Sequence, residues 1–563
     1  MMAARADSGL SAAGPGQVTE SAVWRDSVIC LSFANLCFVN LLDVTDDSWR
    51  LYFVRTLPTA SLGDRIWPIT ATILMFGAFL LVLLRMLRRT GNGKVFQTAR
   101  WIALAATLMP LNILRGFVWK VSVGASVGEL YWRMGPLLFG VLVIAAGVAA
   151  AWAVVRWRNH ILRFPVVLAL IAAPLFPLNL LTALYSFSVH PPAADFADLP
   201  NAPFLPVART GSKVIWLIFD EFDQHWAFEA RPPSLDLPEL DRFRKTSIYA
   251  THALPPGPAT RISMPALITG RLIQEVKSSQ PNELWIRYRD SNSWVAWSQQ
   301  ENVFHRARRL GVNSGLSGFW NPYGRVIARS LNQSFWSNSI LRPVPDPESR
   351  DVRFYFFRLQ LAFIPVWPTI YKKFKPDPLP FVPDLNRAVG ARMSAAMLSD
   401  SETIGENGRR MLQDSRIRFV MIHWPQPHPP GFYDAKKRIL SSSSSKGYFD
   451  NLALVDDTFG KLRRTLEESG EWDDATVLVS SDHPLRAGMR EGARFSEEET
   501  RMIGSRQFPH IPFLLKLKGQ NELVEFDEPF NTVISGKLLL GVLAGNITTP
   551  AEALKVLRGQ PTS

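Results

Sequence analysis

The chain has 563 residues and a formal net charge of +13, with 47% hydrophobic and 20% charged residues. We expect more than one domain at this length, because one hydrophobic core stops growing at about 300 residues. Residues 1–190 hold 16 of the 62 Lys and Arg residues and 8 of the 49 Asp and Glu residues, so they carry +8 of the net charge. Basic charge therefore lies beside the apolar N-terminal runs, which fits membrane topology and argues against nucleic-acid binding.

Apolar runs in the first 190 residues predict a bundle of five transmembrane helices. A hydrocarbon core of about 30 Å needs about 20 apolar residues, and the runs 135–155 and 164–184 reach this length without a charge. The run 101–114 is shorter, and an interfacial or re-entrant segment is its alternative. The predicted spans are 27–44, 67–87, 101–119, 135–155 and 164–185.

Basic residues crowd the loops after the second and the fourth predicted span. They are Arg85, Arg88, Arg89, Lys94 and Arg100, then Arg156, Arg158 and Arg163. Because basic loops face the cytoplasm, we expect the N-terminus inside and the residues after the fifth span outside. The first run lacks a basic n-region, so no cleavable signal peptide is expected.

The residues that follow the spans read as a linker and a soluble domain. Residues 187–211 are rich in Pro and Ala and predict an extended linker. Both cysteines, Cys30 and Cys37, lie in the first apolar run, so no disulfide, Cys-based zinc site or cysteine nucleophile is expected in the soluble part.

Short apolar strands alternate with helices in residues 212–545, which predicts an α/β doubly wound sheet built from buried parallel strands. The clearest elements are strands at 213–219, 417–422, 475–480 and 511–515 and a helix at 448–470. Residues 546–563 are expected to form a C-terminal tail. This domain is the predicted site of the chemistry, since open α/β sheets hold their sites at one edge.

Acidic residues and histidines recur at the ends of these strands. The first strand runs into Asp220 and Glu221, and the third in chain order runs into Asp482 and His483. A single carboxylate at such a place is commonly a helix N-cap, but several strand ends that each bring Asp, Glu or His indicate a site. Asp and His supply oxygen and nitrogen ligands suited to Zn²⁺ or Mn²⁺.

These features resemble the sulfatase branch of the alkaline phosphatase superfamily. With its five predicted spans, the chain is most similar to the membrane-anchored lipoteichoic acid synthases and lipid A phosphoethanolamine transferases. VIWLIFDE matches the metal-binding strand end of that family and SSDHP its Asp-His pair, although Pro484 stands where a glycine is usual. The resemblance implies one divalent ion, Zn²⁺ or Mn²⁺, bound by Asp220, Asp482 and His483, with a second ion left open.

The stretch 258–271 (PATRISMPALITGR) is similar to the sulfatase signature Cys-x-Pro-Ser-Arg, which ends in Leu-Thr-Gly-Arg. Aligning ITGR with that ending places Thr260 on the position of the modified cysteine. The resemblance therefore implies that Thr260 is the nucleophile and shares the metal. Ser263 remains an alternative nucleophile, and Thr260 as the cap of a helix at 261–269 remains a structural alternative.

The resemblance also implies residues that contact substrate. PQPHPP is similar to the Pro-His loop of the family, so His428 is favoured over His423, and Glu221 is a further candidate. Metal ligation, substrate contact and a structural role all stay open for His510. Sulfatases carry Gly-Lys-Trp-His after the second core strand, whereas residues 318–321 read Gly-Phe-Trp-Asn, so Asn321 is kept as a substrate contact.

The function implied by the resemblance is phosphotransfer in the bacterial inner membrane, with the catalytic domain periplasmic or extracellular. Thr260 takes phosphoglycerol or phosphoethanolamine from a phospholipid donor, and an envelope glycan or lipid accepts it. One alternative is a metal-dependent hydrolase, either a phosphodiesterase or a sulfatase. The other is a degenerate, non-catalytic membrane protein with a sulfatase fold.

Overall fold

The computed structural model describes ten stretches of the chain. They are residues 20–37, 62–119, 123–186, 197–206, 211–280, 282–339, 385–441, 447–486, 497–503 and 507–559. Among the described residues, those up to 186 belong to one compact unit and those from 197 onward to another.

The N-terminal unit is helical through nearly all of its described residues. Its helices are α1 (Glu20–Cys37), α2 (Leu62–Arg89), α3 (Gly93–Trp119), α4 (Val123–Ile161), α5 (Phe164–Ile171) and α6 (Leu175–Ser186). Inside α4, Gly135 has a φ of 75°, a conformation that residues with a Cβ rarely adopt. The helix is therefore kinked just before its long apolar part.

One described helix is long and apolar enough to cross a membrane, namely Leu137–Ile161. A second candidate is a broken one, since Phe164–Ile171 and Leu175–Leu181 pass the same test as a pair bent by 41°. These two coincide with the predicted spans 135–155 and 164–185. Residues 38–44 of the first predicted span lie outside the described residues, and the total of five spans stays a prediction.

Polar contacts join helices inside the N-terminal unit. Arg88 of α2 forms an ion pair with Asp26 of α1, whose side chain is buried. Asn179 of α6 donates a hydrogen bond of 2.9 Å to Asn35 of α1. Polar side chains that bond across helices in this way stabilise helix packing in an apolar environment.

The second unit is an α/β domain. Its strands are β1 (Val214–Asp220), β2 (Ile248–Ala250), β3 (Ala253–Leu254), β4 (Ile273–Gln280), β5 (Glu283–Tyr288), β6 (Trp294–Ala296), β7 (Ser314–Phe319), β8 (Gln333–Ser337), β9 (Phe419–Pro427), β10 (Tyr433–Asp434), β11 (Ile439–Leu440), β12 (Thr476–Ser481), β13 (Phe513–Lys516), β14 (Val524–Phe526) and β15 (Phe530–Asn531). Its α-helices are α7 (Pro238–Arg244), α8 (Thr260–Thr269), α9 (Val303–Arg309), α10 (Tyr323–Val326), α11 (Leu385–Gln413), α12 (Tyr448–Glu468), α13 (Glu497–Ile503), α14 (Ser535–Ala544) and α15 (Pro550–Arg558).

Eight strands form one central sheet in the order β14-β2-β13-β12-β1-β9-β7-β8. The neighbours β12, β1, β9, β7 and β8 are parallel, whereas β13 is antiparallel to both β12 and β2. The sheet is therefore mixed. The prediction that 511–515 is a further parallel strand was wrong, because a short apolar run looks the same in either direction.

The reversed strand changes where His510 lies. Ser480 of β12 is paired with Phe513 of β13, so β13 begins where β12 ends. His510 comes just before β13 and is therefore at the same edge of the sheet as Asp482. A parallel β13 would have placed it at the opposite edge.

Both faces of the sheet are covered by helices. Val214, Trp216 and Ile218 of β1 pack in one core with residues of α8, α9, α14 and α15. The alternate residues Ile215, Leu217 and Phe219 pack in a second core with α7, α11 and α12. This alternation is the pattern of a strand buried on both faces, and helices on both faces of the sheet agree with the predicted α/β doubly wound architecture.

The structure moves two predicted boundaries of the domain. Residues 197–206, assigned to the linker, pack on the α/β domain, where the Leu199 amide donates to the Gly324 carbonyl at 2.8 Å. The expected tail contains α15, which begins with a capping box between Thr549 and Glu552 and buries Leu557 in the core. The domain therefore extends to residue 558, because a capped amphipathic helix covers apolar surface there.

Candidate active site

The register of two central strands brings two carboxylates together. β1 and β12 are parallel neighbours with Phe219 paired to Ser481, so Asp220 and Asp482 come next to each other at the carboxyl edge of the sheet. Both side chains are buried. The adjacency follows from parallel pairing, since the ends of neighbouring parallel strands meet at one edge.

A strained turn follows β1. Glu221 has a φ of 64°, which is uncommon for a residue with a Cβ and typical of functional sites. Its amide donates to Asp482 Oδ1 at 3.3 Å, and its carbonyl accepts from the Tyr448 hydroxyl at 2.7 Å. Ser481 Oγ accepts from the Phe222 amide at 3.0 Å. These bonds hold the turn against the Asp-His loop and the start of α12.

Thr260 is the first residue of α8 and faces the two carboxylates. Its Oγ1 donates to Asp220 Oδ1 at 3.3 Å and lies 3.3 Å from His483 Nε2. The N-cap of the helix is Ala259, so the structural alternative of Thr260 as the cap does not hold. Ser263, the alternative nucleophile, is buried, and its hydroxyl donates a hydrogen bond to the nearby Gly257 carbonyl at 2.9 Å. The helix N-terminus carries partial positive charge toward Thr260.

His483 presents an unprotonated nitrogen to the cluster. Its Nδ1 lies 3.0 Å from the Pro484 carbonyl, which can only accept, so Nδ1 carries the proton and Nε2 has the free lone pair. Nε2 lies 3.4 Å from Asp220 Oδ1 and 3.4 Å from Asp482 Oδ2. A metal-binding histidine is commonly oriented in this way by a carbonyl behind it.

The donor set fits a divalent metal ion. Ligand atoms of Asp220, Asp482 and His483 all lie within 4.8 Å of one another, and the three side chains are buried. Asp482 Oδ2 is buried and has no hydrogen-bond partner within the part of the chain that the structure describes. A buried carboxylate oxygen without a donor is costly unless it binds a cation. Two carboxylates and one imidazole suit Zn²⁺ or Mn²⁺.

The pKa shifts at the cluster have the same physical origin. Burial, and then the charges of Asp482 and Glu221, raise the pKa of Asp220 well above its usual value. Burial lowers the pKa of His483 to about 4, so its imidazole is neutral at pH 7. Crowded buried carboxylates beside a neutral imidazole leave negative charge that a cation balances.

A second group of side chains adjoins the cluster through Glu221. Arg486 Nε donates to Glu221 Oε1 at 2.7 Å, and Arg486 Nη2 lies 3.3 Å from His428 Nε2. His428 Nε2 is 3.8 Å from Glu221 Oε1. The structure thus brings His428 and Glu221 together, both predicted to contact substrate. Sequence reasoning missed Arg486, and its one signal was a cation three residues after the Asp-His pair.

Three other residues considered from the sequence are Asn321, His510 and His423. Asn321 is fully buried after β7 and follows Trp320, whose φ is also positive at 70°. His510 packs edge-on against His252 with 4.9 Å between ring centroids. His423 is fully buried, with Nδ1 3.1 Å from the Phe319 carbonyl. None of these three belongs to the group of ligand atoms found among the described residues.

Comparison with known proteins agrees with this geometry. A family model described as Sulfatase matches residues 212–523. No curated protein matches the sequence.

Solved structures give distant matches. The PsFucS1 sulfatase from Pseudoalteromonas sp. shares 14% identity over 62% of this chain and 72% of that one, with a TM-score of 0.41. The phosphonate monoester hydrolase of Agrobacterium radiobacter shares 13% over 62% and 78%, with a TM-score of 0.35. The lipoteichoic acid synthase LtaP from Listeria monocytogenes shares 12% over 60% and 72%, with a TM-score of 0.35.

Proposed function

Since this chain belongs to the sulfatase family, we propose that it is a membrane-anchored, metal-dependent phosphotransferase. Thr260 attacks the phosphodiester of a phospholipid head group, diacylglycerol leaves, and the head-group phosphate stays on Thr260 as a phospho-threonine. A hydroxyl of an envelope glycan or lipid then takes the group, which is phosphoglycerol or phosphoethanolamine. The observation that carries this proposal is the contact of Thr260 Oγ1 with Asp220 and His483 in a buried cluster.

The residues around Thr260 would each support a part of this reaction. Asp220, Asp482 and His483 would hold the divalent ion, which supplies charge stabilisation for the threonine oxygen and for a phosphoryl oxygen when bound. The Thr260 hydroxyl donates to Asp220 Oδ1, so its proton already points to an acceptor in the resting arrangement. Thr260 is 5% exposed, so water has little access to its hydroxyl. The start of α8 adds partial positive charge where the phosphate binds.

The exposed apolar surface of the N-terminal unit supports the membrane anchor. Along Leu137–Ile161, apolar side chains are exposed, with Leu137 at 85% and Val155 at 78%. A helix of the protein core would bury such side chains, and exposure of this extent in water is strongly unfavourable. The five spans and the outward-facing catalytic domain belong to the proposal, because a lipid donor and a lipid leaving group both reside in the bilayer.

The sequence around the nucleophile argues against sulfate as the substrate. With Thr260 on the cysteine position, the arginine of Cys-x-Pro-Ser-Arg falls on Met264, which is buried in the core. The Lys and His of Gly-Lys-Trp-His are replaced by Phe319 and Asn321. The cations that a sulfatase places around its anion are therefore missing from both motifs.

Mass spectrometry of the full-length protein tests the proposal. The protein in detergent is loaded with Mn²⁺ or Zn²⁺ and incubated with phosphatidylglycerol or phosphatidylethanolamine, and the peptide that contains Thr260 is analysed. We expect the matching head group on Thr260 and release of diacylglycerol. Thr260→Ala should abolish both, whereas Thr269→Ala, at the end of the same helix, should not. Transfer that persists in Thr260→Ala refutes the nucleophile, and head-group release only to water supports a hydrolase.

A further inference from the structure

Arg486 is the cation that the described contacts attach to the candidate site. Its side chain is 23% exposed, while the Glu221 carboxylate that it pairs with is 2% exposed. Glu221 follows Asp220 directly, and its amide is bonded to Asp482. The guanidinium is thus fixed beside the candidate metal ligands through its Nε, and part of the side chain is exposed.

The protonation of His428 explains how Arg486 is held at its other end. His428 Nδ1 contacts the Pro429 carbonyl, which can only accept, so Nδ1 carries the proton. His428 Nε2 is therefore an acceptor, and Arg486 Nη2 donates to it at 3.3 Å. Arg486 Nη1 makes no hydrogen bond to any residue that the structure describes.

This arrangement leaves two donors for an anion. A guanidinium binds two oxygens of a phosphate in a fixed fork, and its bond to an anionic oxygen is stronger than the bond from Nη2 to a neutral imidazole. A phosphate oxygen can thus displace His428 from Nη2, while Glu221 keeps Nε in place. The Arg and Lys of the two sulfatase motifs are absent here, which leaves this role open for another cation.

We propose that Arg486 binds the phosphoryl group of the substrate through Nη1 and Nη2, with Glu221 as its positioning residue. The proposal rests on the proposed function for the identity of the phosphate. On binding, the hydrogen bond from Nη2 moves from His428 Nε2 to a phosphoryl oxygen. His428 Nε2 is then free to contact the incoming acceptor. No covalent bond changes in this step.

Binding of inorganic phosphate tests Arg486 without any transfer reaction. Calorimetry on the metal-loaded, full-length protein should show a Kd for phosphate that is about 10- to 100-fold higher in Arg486→Ala, since a hydrogen bond to a charged group contributes that much. Arg486→Lys should lie between, because it keeps the charge and loses the fork. Arg410→Ala removes an exposed helix arginine and should match the wild type. Metal content should be equal in all four proteins.

Turnover of a phospholipid separates the two proposals. If the wild type transfers a head group, Arg486→Ala should raise KM, and added ethylguanidinium should restore part of the loss. If the wild type binds phosphate through Arg486 but transfers nothing, the proposed function fails while the role of Arg486 stands. Equal phosphate affinity in the wild type, Arg486→Ala and Arg486→Lys overturns the role of Arg486. Should Arg486→Ala lose its metal, the role of Arg486 is tested by comparing the phosphate Kd of Arg486→Lys with that of the wild type.

Discussion

Asp482→Asn is expected to stabilise the metal-free protein and to remove most of its stabilisation by a divalent ion. The amide keeps the shape of the side chain, and its oxygen can still accept from the Glu221 and His483 amides. One negative charge disappears from the cluster. Asp220 and Asp482 have ligand atoms within 4.8 Å, so two ionised carboxylates repel each other by about 3 kcal/mol at an effective dielectric constant of about 20.

The raised pKa of Asp220 sets the size of this effect. Where Asp220 is protonated, the repulsion is already relieved, so the metal-free gain of Asp482→Asn should be largest at alkaline pH and amount to about 1–3 kcal/mol. An ion at 100 times its Kd stabilises the wild type by about 2.7 kcal/mol. A variant that binds 100-fold more weakly gains only about 0.4 kcal/mol at the same concentration.

The assay is thermal unfolding of the full-length protein in detergent, followed by tryptophan fluorescence with EDTA and with Mn²⁺ or Zn²⁺. Metal content is measured in parallel by elemental mass spectrometry, and Asp290→Asn serves as a control because Asp290 is exposed. A metal-induced shift as large in Asp482→Asn as in the wild type would show that Asp482 is not a ligand. A metal-free variant that is less stable than the wild type would refute the argument from repulsion.

Thr260→Ser keeps the hydroxyl, and phospholipid assays should show turnover within about tenfold of the wild type, whereas Thr260→Ala should show none. The smaller loss in Thr260→Ser comes from the less constrained χ1 of serine. Burial raises the pKa of Asp456 from 3.8 to about 6. Protonated Asp456 therefore contributes stability below pH 4, and this contribution is lost as the pH rises through 6. In urea unfolding, the free energy of unfolding of Asp456→Asn relative to the wild type should thus increase by about 2 kcal/mol between pH 4 and 8. A difference that does not change with pH contradicts this. In Gly318→Ala the new Cβ overlaps the buried Tyr323 ring, which should cost about 1–3 kcal/mol in the same assay.

The cluster of two carboxylates and one imidazole that could hold a metal could be predicted, because its residues follow strand ends. Asp220 and Asp482 each follow a short buried apolar run, and parallel pairing puts such ends side by side. Thr260 was identified by its spacing to ITGR, which lies at the end of the same helix and matches the end of the sulfatase signature. Those two signals are local in sequence, and the structure brings the residues that carry them into contact.

Other features depend on contacts that no local pattern contains. The direction of β13 follows from its neighbours, and the order of apolar residues is the same for both directions. Arg486 reaches Glu221 and His428 across a turn, so three segments must fold before the contact exists. Leu557 is buried because α15 meets a core formed by strands far away in sequence.

The acceptor behind His483 is part of the main chain. Its Nδ1 bonds to the Pro484 carbonyl, whereas many metal-binding histidines rely on a carboxylate side chain at that position. A carbonyl oxygen survives every side-chain replacement, so no point mutation can delete this partner. Variants that lose the ion should therefore arise at Asp220, Asp482 or His483 themselves, or by insertions that redirect the loop. Substitutions around His483 should leave its tautomer unchanged.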